Sequence, residues 1–179
     1  MSLELLILIV FILLLVCILY ISVIVKKSVE CLNRTYEPDE ITVGEGKKLA
    51  LIIYQPTRHG SIENISMAIA EELALNDYKV ILNYPSKLLN YRLNEYDLIC
   101  FGGGVYFSRT SPILSDYILS NPCKNKKVLV YLVGRLVDEE KEINELAVLL
   151  GGSNKVYKAK VKKDQTKEVR NLVSSIIKE

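Results

Sequence analysis

The chain has 179 residues, 50% of them hydrophobic and 25% charged, with a formal net charge of +2 and a mean hydropathy of +0.21. This apolar content excludes a disordered chain, and four cysteines without paired spacing exclude a disulfide scaffold. A single long apolar run excludes a polytopic membrane protein. That run, Leu5–Val25, is 21 residues without a charge. At 1.5 Å per residue it extends about 31 Å, the thickness of a bilayer core. A cleaved signal peptide needs a basic n-region, a shorter apolar stretch and a small-residue cleavage site. Here Met1-Ser2-Leu3-Glu4 has no Lys or Arg, no Ala-x-Ala follows, and Val16 before Cys17 argues against a lipoprotein site. Residues 1–27 therefore read as a retained transmembrane anchor. Lys26, Lys27 and Arg34 follow the run, so the positive-inside rule places the C-terminal domain in the cytoplasm, on a single-pass protein of the cell membrane. Two sequons, Asn33-Arg34-Thr35 and Asn64-Ile65-Ser66, are then expected to stay unmodified.

Residues 28–46 are polar, contain Pro38 and end in Gly44 and Gly46, the composition of a flexible linker. Such a linker sets a domain on the order of 25 Å from the bilayer. From residue 47 onward the pattern alternates. Lys48–Tyr54 is a continuous apolar run, expected as a central parallel strand. Ser61–Asn76 carries Ile62, Ile65, Ala68, Ile69 and Leu73 at helical spacing. Tyr78–Tyr84 is a second strand, Pro85–Glu95 a short helix or loop, and Asp97–Phe101 a third strand running into Gly102-Gly103-Gly104. Ser111–Ser120 is a short helix with Pro112 in its first turn. Lys127–Val133 is a fourth strand, and Asp138–Leu150 a helix closed by Gly151-Gly152. Lys155–Val161 is a more polar edge strand and Asp164–Ile177 the last helix. Strands alternating with helices define an α/β fold, a doubly wound five-stranded parallel sheet over residues 47–179. Its ligand belongs at the carboxyl ends of the strands.

Two loops leave adjacent strand ends there. Gln55-Pro56-Thr57-Arg58-His59-Gly60-Ser61 meets a helix N-terminus, where backbone N–H groups and the helix dipole favour an anion. Thr57 and Ser61 offer hydroxyls and Arg58 a charge; the alternative is a plain cap by Ser61 with Asn64 three residues on. The turn is neither G-x-x-x-x-G-K nor G-x-G-x-x-G. After the third strand, the glycines allow close backbone approach, and Tyr106 and Phe107 offer rings to an aromatic ligand. The alternative is a glycine turn with an aromatic packed back on the sheet. Together the loops describe a mononucleotide site. Cys100 reads as a buried strand residue and Cys123 as a loop thiol. His59, the only histidine, is a phosphate contact or a solvated loop residue, and neither a metal cluster nor G-x-S-x-G is present.

These residues resemble a flavodoxin. The family's aromatic, hydroxyl and T-G-x-T turn, followed by an I-A-x-x-I-A-like helix, stand here as Tyr54, Thr57, Arg58-His59-Gly60-Ser61 and Ile65-Ser66-Met67-Ala68-Ile69-Ala70. Tyr96-Asp97-Leu98-Ile99 with Gly102-Gly103-Gly104-Val105-Tyr106 is similar to the third strand and flavin loop. The resemblance implies strand order 2-1-3-4-5 and non-covalent FMN, held by Thr57, Arg58, His59, Gly60 and Ser61 at the phosphate and by Gly103, Gly104, Val105, Tyr106 and Phe107 at the ring. Pro56 stands where the family's first hydroxyl is usual, and Gly134-Arg135-Leu136-Val137-Asp138 lacks the glycine-aromatic stretch over the flavin. Residues 47–179 are basic, with 20 Lys and Arg against 15 Asp and Glu. The short fourth loop and basic surface are similar to membrane-associated flavodoxin-like protoporphyrinogen oxidases. The implied function is electron transfer through FMN to or from a redox partner protein or a membrane-soluble acceptor or donor, rather than turnover of a specific substrate. The competing readings are an FMN-free tethered binding or scaffold module, and a flavin oxidoreductase acting on a quinone or porphyrinogen. Lys155, Lys158, Lys160, Lys162, Lys163 and Lys167 read as a solvated edge, or as attraction to anionic lipid or an acidic redox partner. Nucleic acid is not an expected partner.

Overall fold

The computed structural model describes residues 2–179. The apolar run becomes α1, Leu3–Leu32, capped by Ser2, whose Oγ accepts from the Leu5 N–H at 3.3 Å. It is long and apolar enough to cross a membrane. It does not stop where hydropathy stops. Lys26–Leu32 contains no Gly or Pro, so nothing breaks the hydrogen-bond ladder until Asn33, whose N–H and side-chain amide both donate to the Val29 carbonyl. Only Ser28 and Leu32 of α1 are buried.

The stretch expected as a flexible linker is thus ordered differently. Its first five residues finish α1, and β1 (Ile41–Val43) pairs antiparallel with β3, Ile41 opposite Leu82 and Val43 opposite Val80. All three residues of this strand are β-branched, but three residues are too short a signal to stand out from a loop.

The remaining elements are β2 (Lys48–Tyr54), α2 (Ser61–Ala74), β3 (Tyr78–Asn83), β4 (Leu98–Gly104), α3 (Pro112–Ser120), β5 (Lys127–Val133), α4 (Lys141–Leu149), β6 (Lys155–Val161) and α5 (Thr166–Lys178). Leu93–Glu95 forms a single 3₁₀ turn between β3 and β4. The sheet order is β1-β3-β2-β4-β5-β6. Its five parallel strands, β2 to β6, keep the expected 2-1-3-4-5 order, with β1 added as a sixth, antiparallel edge. The third parallel strand runs farther than expected: all three glycines lie inside β4 and are buried.

Alternation along the central strands divides the core into two layers. Ile52, Tyr54, Val80 and Tyr131 face α2 and α5, meeting Ile62, Ile65, Ile69, Val169 and Val173. Leu51, Ile53, Phe101 and Val130 face α3 and α4, meeting Leu114, Ile118, Ile143 and Leu146. Both faces being covered is why these strands read as unbroken apolar runs. At the β6 edge the structure departs from a solvated lysine face. Lys160 is buried and donates to Glu142 of α4 at 2.8 Å, the two side chains 4% and 2% exposed. That hydrogen bond holds the Glu142 carboxyl below its ordinary range, against the opposing effect of burial.

Candidate functional site

The turn after β2 is built around Thr57. Gly60, with φ +67°, swings the chain from the strand into α2. No side chain at Gly60 caps the helix. Instead the Thr57 hydroxyl oxygen accepts from the N–H groups of Ser61 at 3.0 Å and Ile62 at 3.2 Å, and lies 3.0 Å from the Ser61 hydroxyl. Two of the donors a helix start leaves free are thereby taken.

Glu63, in the first turn of α2, folds back over the same turn. Its carboxylate accepts from the Thr57 N–H at 3.2 Å and the Thr57 hydroxyl at 3.1 Å. The turn therefore holds an anion, and the anion is the chain's own. Ser61 is the first helical residue rather than the cap, and Glu63 rather than Asn64 reaches back. Glutamate three residues past a cap is a capping-box position, and that spacing is the signal by which Glu63 can be found in the sequence.

The second loop closes on the first. Tyr106 and Arg109 exchange both backbone hydrogen bonds, at 2.9 and 3.0 Å, around Phe107 and Ser108, whose φ values are +50° and +54°. This is the left-handed pair of a tight hairpin turn, which usually takes Asn-Gly. The Tyr106 ring lies back over Gly104, and its hydroxyl oxygen accepts from the Arg58 N–H at 3.3 Å. Burial pushes the Tyr106 phenol up to about 12, so it is neutral. Phe107 projects into solvent.

The glycines serve packing as well as approach. A Cβ on Gly102 would land in the ring of Tyr131, which is fully buried and shares a 2.6 Å hydrogen bond with Ser66. A Cβ on Gly104 would meet Thr57 Cγ2 at 2.7 Å, and one on Gly103 would meet Leu114 at 3.3 Å. Gly104 is thus the point where the two loops touch.

Of the ten residues expected at the site, Thr57, Gly60, Ser61, Gly104 and Tyr106 converge. Arg58, His59 and Phe107 are exposed at the rim, Gly103 turns toward α3, and Val105 packs against Gly134. Three further residues tie the site to α1 and the segment that follows it. Ser111 donates its hydroxyl to the Leu32 carbonyl at 2.6 Å, and buried Gln55 donates its amide to the Arg34 carbonyl at 2.9 Å. The Cys31 thiol lies 3.8 Å from the Pro56 carbonyl oxygen and 4.0 Å from the Tyr106 hydroxyl. No local sequence signal marks these contacts, because each joins α1 or the residues just past it to a loop at the sheet's carboxyl end, across more than twenty residues. A cleft of about 590 Å³, lined by Thr35, Tyr36, Pro85, Leu89, Ile113 and Tyr117 among others, opens beside this assembly and includes none of the ten. No group of three or more potential metal ligands exists among the described residues.

The arrangement matches known folds. No protein-family model matches the chain. An uncharacterized protein of Methanocaldococcus jannaschii is 32% identical over 82 residues, which are 46% of this chain and 51% of that protein. The chain spans about half the length of that relative. Among solved structures, a flavodoxin from the domain Archaea is similar at TM-score 0.57 and 13% identity, over 73% of this chain and 96% of its own. Flavodoxin 2 from Bacillus cereus gives TM-score 0.57 and 20% identity, over 73% and 98%. A rubredoxin oxygen:oxidoreductase from Desulfovibrio gigas gives TM-score 0.58 and 15% identity, covering 75% of this chain but 36% of that one. The fold is flavodoxin-like, preceded by an apolar helix consistent with a membrane anchor.

Proposed function

We propose that this protein is a membrane-anchored flavodoxin-like FMN protein, its domain on the cytoplasmic side, that moves electrons to or from a redox partner in or at the membrane. The observation that carries the reading is the turn after β2. The N–H and hydroxyl of Thr57 hold a carboxylate at the helix N-terminus where a phosphate monoester would be recognised. The donor set suits an anionic oxygen group, and Glu63 is a partly exposed side chain free to swing outward. With Glu63 displaced, Thr57, Ser61 and the first N–H groups of α2 would hold the phosphate, and Tyr106 would leave Arg58 to border the ring. When bound, FMN supplies the electron chemistry. The protein positions it, and the α1 contacts of Leu32 with Ser111 and of Cys31 with Pro56 and Tyr106 keep the site against the membrane segment.

The visible spectrum of the detergent-solubilised full chain tests this. Flavin absorbance, or quenching of added FMN fluorescence, is the expected result. A colourless protein that leaves FMN fluorescence unchanged refutes it. That outcome favours the second reading, an FMN-free tethered module, which the self-satisfied turn supports: Glu63, Tyr106 and Thr57 already pair its donors. Sugar attached to Asn33 in a glycosylating membrane would reverse the orientation.

A further inference from the structure

The position of α1 says which end of the domain meets the bilayer. We infer that the tips of the β4–α3 and β5–α4 loops, Phe107 and Leu136 with Arg58, Arg109 and Arg135 beside them, form a surface that seats in the lipid headgroups of the membrane α1 crosses. This rests on the reading of α1 as a retained anchor.

Three observations carry it. First, the spacing is short. The apolar run ends at Val25 and the first domain contact is Ser28, so only about 4.5 Å of helix rise separates hydrocarbon from protein. Cys31, one turn farther on, touches both Pro56 and Tyr106, and the Leu32 carbonyl accepts from Ser111. A headgroup layer is itself about 5–8 Å deep on each side. The Cys31 and Leu32 contacts lie about 9–10.5 Å of helix rise past Val25, so the carboxyl end of the sheet sits against the outer edge of that layer, with the layer in reach of its loop tips, rather than at the end of a flexible tether.

Second, the β4–α3 loop, which touches α1 through Tyr106 and Ser111, and the β5–α4 loop beside it carry apolar tips. Phe107 and Leu136 are each 59% exposed. The loops adjoin, since Val105 donates its N–H to the Val133 carbonyl and packs against Gly134. Phe107 is displayed in a left-handed conformation that an aromatic residue rarely adopts. Outliers of this kind concentrate where a side chain is used.

Third, each apolar tip has an exposed arginine close by in the chain, Arg109 by the first and Arg135 by the second, and exposed Arg58 donates its N–H to the Tyr106 hydroxyl beside the first. Such pairs of an apolar tip and a long cation suit an interface where acyl chains and phosphates are stacked in depth. Asp138, Glu139 and Glu140 follow Leu136, but Glu140 lies 3.9 Å from Lys158 and they lead into α4. The mode of seating is apolar insertion with arginine–phosphate contact, and a wholly electrostatic attachment is not required.

The chain contains no tryptophan, so a single introduced one reports its own surroundings. Full-length Phe107→Trp, Leu136→Trp, Leu75→Trp and Leu13→Trp are reconstituted in phosphatidylcholine vesicles, with or without phosphatidylglycerol, containing lipid brominated near the headgroup or deep in the chain. Leu75 is 80% exposed at the opposite end of the sheet and serves as the distal control. Phe107→Trp and Leu136→Trp should be blue-shifted and quenched several-fold more by shallow bromine than Leu75→Trp, more strongly with phosphatidylglycerol. Leu13→Trp should be quenched by deep bromine. Loop tryptophans no more quenched than Leu75→Trp overturn the seating while a quenched Leu13→Trp keeps the anchor. An unquenched Leu13→Trp overturns the anchor itself, and the seating with it.

Discussion

Glu63→Gln isolates the role of the internal carboxylate. In the structure Glu63 lies 3.1 Å from the Thr57 hydroxyl and 3.2 Å from its N–H. A phosphate taking those donors arrives about 4 Å from the carboxylate, where like unit charges repel by about 4 kcal/mol at an effective dielectric of 20. The side chain is partly exposed and swings away; doubling the separation halves the repulsion, and salt screens part of the remainder. The residual cost against FMN is about 1–2 kcal/mol, so Glu63→Gln should tighten FMN roughly 5–30-fold. Glutamine keeps an acceptor for Thr57, so the turn retains its shape. The assay is fluorescence titration of the full chain in detergent with FMN and, in parallel, riboflavin. Riboflavin has no phosphate and should shift by less than about twofold. The FMN gain should shrink as salt rises. Equal responses by both ligands, or weaker FMN binding, would show that Glu63 does not occupy the phosphate position.

Thr57→Ala removes the hydroxyl that receives the Ser61 and Ile62 N–H groups, and should lower unfolding free energy by about 1–2 kcal/mol in denaturant titration even without ligand. Ser61→Ala should cost less than about 0.5 kcal/mol by the same measure, because its backbone N–H, not its side chain, is the capped group. Gly102→Ala drives a methyl into Tyr131 and should cost about 2–3 kcal/mol, with the thermal midpoint reporting the loss. Lys160→Met leaves Glu142 buried without its cation and should cost about 3–5 kcal/mol, while the Lys160→Met/Glu142→Met pair recovers most of it. Because Lys160 lowers the Glu142 pKa, this pair's contribution is present above the ordinary value of 4.5 and is lost as pH falls through the lower folded value. In Lys160→Met the dependence at that group should reverse, acid restoring stability by neutralising the stranded carboxyl.

Residues 48–54, 98–101 and 127–133 announce buried parallel strands because both of their faces are covered, which makes each an apolar run visible at short range. The helical stripes of Ile62, Ile65 and Ile69 and the edge strand Lys155–Val161 are equally local signals, and the order of elements follows from them. So does the 21-residue apolar run. The site was legible as two loops at neighbouring strand ends, since chain order and crossover handedness place them there.

What tertiary structure decided is how those pieces close on one another. Glycines 102–104 spell close approach in sequence, but whether a ligand or Tyr131 makes that approach depends on a ring arriving from β5. Lys160 belongs to a lysine-rich segment and is buried only because Glu142 of α4 meets it. Glu63 is a surface-type residue until the turn folds back beneath it. Residues 28–40 have linker composition, yet hydrogen bonds donated by Ser111 and Gln55, and one that the Asn83 side-chain oxygen accepts from the Asp39 N–H, pin them across the sheet end. Periodicity and hydropathy register interactions between near neighbours in the chain. Apart from the six-residue reach of Glu63 back to Thr57, these contacts join segments about twenty or more residues apart, and their free energy exists only once the sheet has brought both partners to the same place.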